Sequence, residues 1–360
     1  MTRFVPLIHC RAVLILLPLL ATGSPSSSVL REAAGRRNLM IGTAVRAYAL
    51  SDAAYSQTLG REFNMLEPED ALKWWILRRN EGIFDFREGD EIARFAQGHR
   101  MKIRGHCLVW DHNNPPWLTQ AHFTPDQLRR LLQEHIATVM KHYAGQVFAW
   151  DVVNEAFDER GTLKDSPWYN RPGIGASQKG TAYIERALRW AHDADPGALL
   201  FYNEGGAEGL NAKSDAVYAM VKDFKQRDVP LDGVGLQMHI SHLQADSEAV
   251  AKNIARLTAL GVQVHITELD VPLMLQPAGG VSQEDLQRQA QIYRNIVHAC
   301  LENPGCTAIQ TWGFTDKYSW IGSHSSGTQG SALVFDRNYK PKPAYTALVE
   351  EVSSPANRQH

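Results

Sequence analysis

Short apolar runs alternate with longer stretches of helical spacing along the 360 residues of the chain. The runs fall at 41–45, 63–66, 101–109, 147–153, 199–202, 234–238, 262–269 and 307–314. These short apolar runs read as strands. Among the intervening segments, "TPDQLRRLLQEHIATVMKHYA" is the clearest helix, with Thr124 as N-cap and Pro125 in the first helical position. Its Leu128, Leu131, Leu132, Ile136, Val139, Met140 and Tyr143 form one apolar face. A second helix runs through "NAKSDAVYAMVKDFKQRD".

Eight strands in strict alternation with helices predict an α/β fold, a single (β/α)8 TIM barrel. A doubly wound sheet is the alternative, but no Gly-rich fingerprint follows the first run to support its nucleotide-binding form. Barrel enzymes place their chemistry at the C-terminal ends of the strands. Those ends are polar here. The fourth run closes in "WDVVNEAF" with Asn154 and Glu155, and the seventh in "HITELD" with Glu268 and Asp270. Strand alternation gives Val264, Ile266, Glu268 and Asp270 one parity. If the apolar pair faces inward, both carboxylates point into the barrel mouth. Gln237 and His239 share a parity in the sixth run, as do His106, Leu108 and Trp110 in the third.

Composition narrows the partners. Hydrophobic residues make up 44% of the chain, enough for a large core, and the net charge of −2 includes no long basic block. A nucleic-acid partner held through phosphates is therefore not expected. The start, "MTRFVPLIHCRAVLILLPLLATG", has Arg3 and Arg11 ahead of a short apolar run and small residues, which reads as a signal peptide over 1–23. The run is too short to span a bilayer, so a secreted or periplasmic protein without a membrane partner is expected. Residues 24–38 read as a Ser/Pro-rich connector, 39–352 as the catalytic barrel and 353–360 as a tail.

Export makes a disulfide between Cys300 and Cys306 chemically accessible, since "LENPG" between them should end a helix and turn into a strand. Two unpaired thiols are the alternative, and Cys107 is left over as a small buried residue. His106, His239 and His242 raise the question of a metal. Without an HExxH motif or a Cys/His cluster, no metal or other cofactor is expected.

Two carboxylates across a cavity suit glycosidic bond cleavage, whereas a lone strand-end Glu is more often a solvated or ion-paired group. The dipeptide "NE" is itself weak, because it recurs at Asn80–Glu81 and Asn203–Glu204. Trp312 and Trp320 after the eighth run, with Trp110 and Trp117 around "DHNNPP", add aromatic faces suited to sugar rings.

In this order, "REFNMLEPEDALKW", "RGHCLVWDHNNPPW", "WDVVNEAF", "GVGLQMH", "HITELD" and "QTWGFTDKYSW" resemble the glycoside hydrolase family 10 endo-β-1,4-xylanases. The resemblance implies retaining double displacement on xylan and xylo-oligosaccharides. Glu155 would be the acid/base and Glu268 the nucleophile, roughly 5 to 5.5 Å apart. It assigns Asn154 to the 2-hydroxyl of the reacting sugar, and His239 with Asp270 to orienting Glu268. Glu69, Asp70, Lys73, His106, Trp110, Asn113, Gln237, Trp312 and Trp320 match sugar-contacting positions. The chain would act as one catalytic domain and is expected to be a monomer.

Four positions depart from the family pattern. Asp70 stands for the usual asparagine, Asn113 for glutamine, Asp111 for histidine and Gly205 for a frequent tyrosine. Altered subsite binding is expected from Asp70 and Gly205. A cellulase on the same barrel, a sugar-binding barrel without catalysis and a metal-dependent barrel hydrolase are the competing readings.

Overall fold

A computed structural model describes Met1 and residues 29–177, 180–241, 243–276 and 280–355. Residues 2–28, with Cys10 and the rest of the expected signal peptide, His242 and the last five residues of the tail lie outside them. The barrel strands are β1 (Met40–Val45), β2 (Met65–Pro68), β3 (Lys102–Val109), β4 (Val147–Asn154), β5 (Leu199–Glu204), β6 (Gly233–Leu236), β7 (Gln263–Leu269) and β8 (Cys306–Thr311). All are parallel, and β8 pairs back onto β1 to close the barrel. Eight runs were expected, and among the described residues eight strands form the barrel, with Leu273–Met274 and Gln329–Gly330 pairing as a small separate sheet.

Among the described residues, nine longer helices accompany them: α1 (Val29–Arg36), α2 (Ala53–Glu62), α3 (Arg87–Gly98), α4 (Pro125–His142), α5 (Ala182–Ala194), α6 (Ala212–Gln226), α7 (Ser247–Thr258), α8 (Gln283–Leu301) and α9 (Pro343–Ser353). From α2 onward, each of these follows one strand. Thr124 caps α4 in a reciprocal box with Gln127, with Pro125 at the first turn. None of the described helices is long and apolar enough to cross a membrane.

The connector needs correction. Residues 29–36 form α1, whose Leu30, Ala33 and Ala34 are buried in the main apolar layer. Arg37 then donates from Nε to the Val352 carbonyl at 2.7 Å, joining this end to α9. The second strand also begins later than its apolar run, because Phe63 closes α2 through its N–H to the Leu59 carbonyl. That shift carries Glu67 into the strand and leaves Glu69 just beyond it. Cys300 and Cys306 are disulfide-bonded, with Cα atoms 5.3 Å apart, fastening the end of α8 to the start of β8, and Cys107 is buried and free.

The apolar core lies between strands and helices; the barrel's centre is polar. Val264 and Ile266 belong to that outer layer. The neighbouring His265 instead faces Phe201 at 4.2 Å, and Thr267 donates to Asn203. The inward-apolar premise for β7 therefore fails. A register shift against β8 between Ile266 and Leu269 resets the alternation, so Glu268 still reaches the mouth.

At the centre, the Arg104 guanidinium forks onto Asp151 and bonds Glu67 at 2.7 Å, while His106 Nδ1 lies 2.9 Å from Asp151. All four are buried.

Candidate active site

β4 and β5 run side by side with Asn154 opposite Asn203, so two amides meet at one point on the rim. Asn203 Nδ2 donates to Asn154 Oδ1 at 2.8 Å and to Glu268 Oε1 at 2.7 Å. Asn154 Nδ2 donates in turn to Glu155 Oε1 at 3.2 Å. The two glutamates are thus joined through two asparagines. Asn203 was set aside in the sequence as an uninformative repeat of "NE". The signal that could have found it is its position, because "NE" closes two adjacent strands.

Glu155 leaves the strand with φ of +56°, a left-handed conformation that costs a residue with a Cβ of order 1 kcal/mol. Its N–H is held by the Asn203 carbonyl at 2.9 Å. The next two amides are held by the Tyr202 hydroxyl and the Glu204 carboxylate. Ala156 and Phe157 are buried immediately afterwards, so the chain turns the carboxyl toward the mouth and dives back into the core. Glu204 is a pinning group. It bonds Tyr202 and pairs with Lys213 at 3.4 Å, and burial pushes its carboxyl up to about 7 against that cation.

The Glu155 carboxylate accepts from Gln237 Nε2 at 2.8 Å and from Trp110 Nε1 at 3.2 Å, and Lys164 Nζ stands 3.9 Å away. Glu268 sits 3.1 Å from His239 Nε2, and His239 Nδ1 lies 3.0 Å from Asp270, which also accepts from Trp320 Nε1 at 2.8 Å. Burial alone would push Glu268 up. The His239 bond, the charges of His106 and His239 and the Asn203 bond outweigh it and hold the carboxyl below its ordinary value. Burial likewise opposes a charge on His239, but Asp270 and Glu268 hold its imidazolium well above the usual range.

The other expected sugar contacts fall into two groups. Lys73 Nζ lies over the Trp110 ring at 5.1 Å and the Trp312 ring at 5.5 Å, and 3.3 Å from Asp70. Burial works against its charge, and the nearby charges of Asp70, Cys107, Glu268 and Glu69 together outweigh it and hold the ammonium above its ordinary value. Glu69 is buried and receives Arg46 Nη2 at 2.6 Å, with Asp70 3.6 Å from Arg46 Nε. His106 lies beneath this floor with Nδ1 engaged by Asp151, its ring 5.3 Å from Trp312. Asn113 stands apart from the cluster. It is exposed, with φ of +53°, and its carbonyl accepts from the Trp75 N–H.

Among the described residues, Glu67, His106 and Asp151 are the one group spaced to hold a metal. Arg104 already supplies the positive charge there, which argues against that use. Asp111 bonds the His112 ring at 2.6 Å and lines a small cavity together with Trp110 and Glu155.

Opposed glutamates on the fourth and seventh strand ends of a parallel barrel, floored by tryptophan, define a glycoside hydrolase of the TIM-barrel class. The comparisons agree, and they are specific. The family model for glycosyl hydrolase family 10 matches residues 29–351, and the chain belongs to that family. It is 42% identical to endo-1,4-beta-xylanase B of Thermotoga neapolitana, over 89% of this chain and 90% of that one. An Agaricus bisporus endo-1,4-beta-xylanase is 36% identical over 93% and 97% of the two chains. Xylanase 10B of Thermotoga petrophila, solved in complex with xylobiose, superposes with a TM-score of 0.85 at 40% identity, covering 92% and 98%.

Proposed function

We propose that the protein is an exported endo-1,4-β-xylanase that cleaves internal bonds of xylan with retention of configuration. The observation that carries this reading is the chain of amides from Glu155 through Asn154 and Asn203 to Glu268. Glu268, held ionised by His239 and Asn203, attacks the anomeric carbon. Glu155 gives its proton to the departing glycosidic oxygen. A glycosyl ester forms on Glu268, the substrate C–O bond breaks, and Glu155 then takes a proton from water as that water releases the sugar. In this reading Asn154 bonds the 2-hydroxyl, and Glu69 and Lys73 hold the sugar on the non-reducing side. The leader supports export, and its removal would take the net charge from −2 to −4.

Reducing-sugar release from xylan and from carboxymethyl-cellulose tests the substrate, with Glu268→Ala as control. Release from xylan alone, lost in the control, supports the reading. Release mainly from cellulose would keep the mechanism and overturn the substrate. The first-formed anomer, followed by NMR, should be β; an α product would end the retaining assignment.

A further inference from the structure

Tyr48 lies in the short turn Ala47–Ser51 after β1 and is 60% exposed, more than any other Phe, Tyr or Trp among the described residues. A single exposed aromatic ring is ordinary on a protein surface. This one is held from two sides. Its hydroxyl accepts from Arg46 Nη1 at 3.2 Å, and the other arm of that guanidinium donates to Glu69 at 2.6 Å. The ring also meets Tyr318 almost perpendicularly, with centroids 5.9 Å apart and planes at 76°. Tyr318 is anchored in turn by its hydroxyl on Asp52 at 3.1 Å. The same arginine therefore orients both the buried glutamate at the glycone end and the exposed ring beside it.

We propose that Tyr48 is the platform of a further glycone subsite, on which the xylosyl unit beyond the one bonded by Glu69 rests its apolar face. This rests on the xylanase reading and deepens it. The local charges decide what kind of ligand fits. Arg46 and Lys73 are matched by Glu69 and Asp70, so the rim carries no surplus charge to hold an anionic group. A neutral pyranose, with C–H bonds on one face and hydroxyls at its edge, suits an exposed phenol ring. Continuity with the Glu69 and Lys73 site sets the direction, away from the bond being cut. The subsite would favour cuts that leave three or more sugars on the glycone side.

Aryl β-xylobioside and aryl β-xylotrioside test this, because aryl release reports cleavage at one bond and so fixes the register. The bioside stops short of Tyr48 and the trioside reaches it. The unmutated enzyme should favour the trioside in kcat/KM, and Tyr48→Ala should cut that advantage roughly three- to tenfold, the range of one aromatic contact. Tyr48→Phe, which keeps the ring and loses the Arg46 bond, should retain most of it. The proposal is overturned if the enzyme shows no trioside advantage, if Tyr48→Ala leaves that advantage intact, or if it lowers both substrates equally, since Tyr48 would then act only through Arg46 and Glu69. Absence of aryl release from either substrate would instead overturn the xylanase reading itself.

Discussion

A Cβ placed on Gly205 would lie 2.3 Å from Gln237 Oε1 and 3.0 Å from its Cδ. Any side chain at 205 and the present position of Gln237 therefore exclude each other, and Gln237 is the residue that donates to Glu155. Gly205→Ala should displace that amide and lower kcat on an aryl xylobioside about tenfold, the scale of one misaligned catalytic hydrogen bond. Gly205→Tyr should do no better, so restoring the family's tyrosine is not a simple gain of a sugar contact. An unchanged kcat in Gly205→Ala would show that Gln237 has room to move without loss. The charges at the site also set a pH dependence. Glu268 is held below its ordinary pKa, so it contributes stability above about pH 4.3 that is lost as pH falls through its folded value. His239 is held above its ordinary value, so its contribution is complete below about pH 6.5 and fades as pH rises through the folded value. In His239→Gln the acidic limb of kcat/KM should move upward, because Glu268 loses the bond that favours its ionised form. The Tm deficit of this variant should shrink toward alkaline pH. An acidic limb that stays in place would separate His239 from the nucleophile.

The strands were legible because their outward faces bury Val, Ile and Leu against the helices, which keeps each run mainly apolar even where the inward residue is polar, and α4 because its cap and its stripe agree. Boundaries were less so: Phe63 is apolar whether it closes a helix or opens a strand. The first helix was not legible at all. Eight residues with Leu30, Ala33 and Ala34 as the inward face carry too weak a period, and a helix this short owes its stability to what it packs against. Leu30→Ala should accordingly cost about 3 kcal/mol in denaturant unfolding, the range for a fully buried leucine. A cost below about 0.5 kcal/mol, typical of a surface site, would return this segment to the status of a connector. That Glu155, Glu268 and His239 meet at the mouth was legible from the polar strand ends. Asn203 was not, because its importance lies in a register between strands that no single stretch of sequence displays.

The whole molecule has an apolar shell around a charged axis, the reverse of what an inward-apolar β7 implies. Arg104 holds that axis together by neutralising Asp151 and Glu67 where no water reaches them. Arg104→Met would leave two buried carboxylates facing each other and should destabilise the protein by about 3 to 5 kcal/mol. Thermal unfolding at neutral pH would measure it; a variant as stable as the parent would mean that the carboxylates take up protons at little cost. The seam between α1 and α9 carries a different consequence. Arg37 reaches the Val352 carbonyl, so the two ends of the folded body are neighbours beneath β1, on the floor opposite the mouth. A cellulose- or xylan-adhering module spliced to either end would hang under the barrel like a mooring line. The enzyme could be anchored to an insoluble fibre or a solid support by that floor while its cleft stayed open to passing polymer.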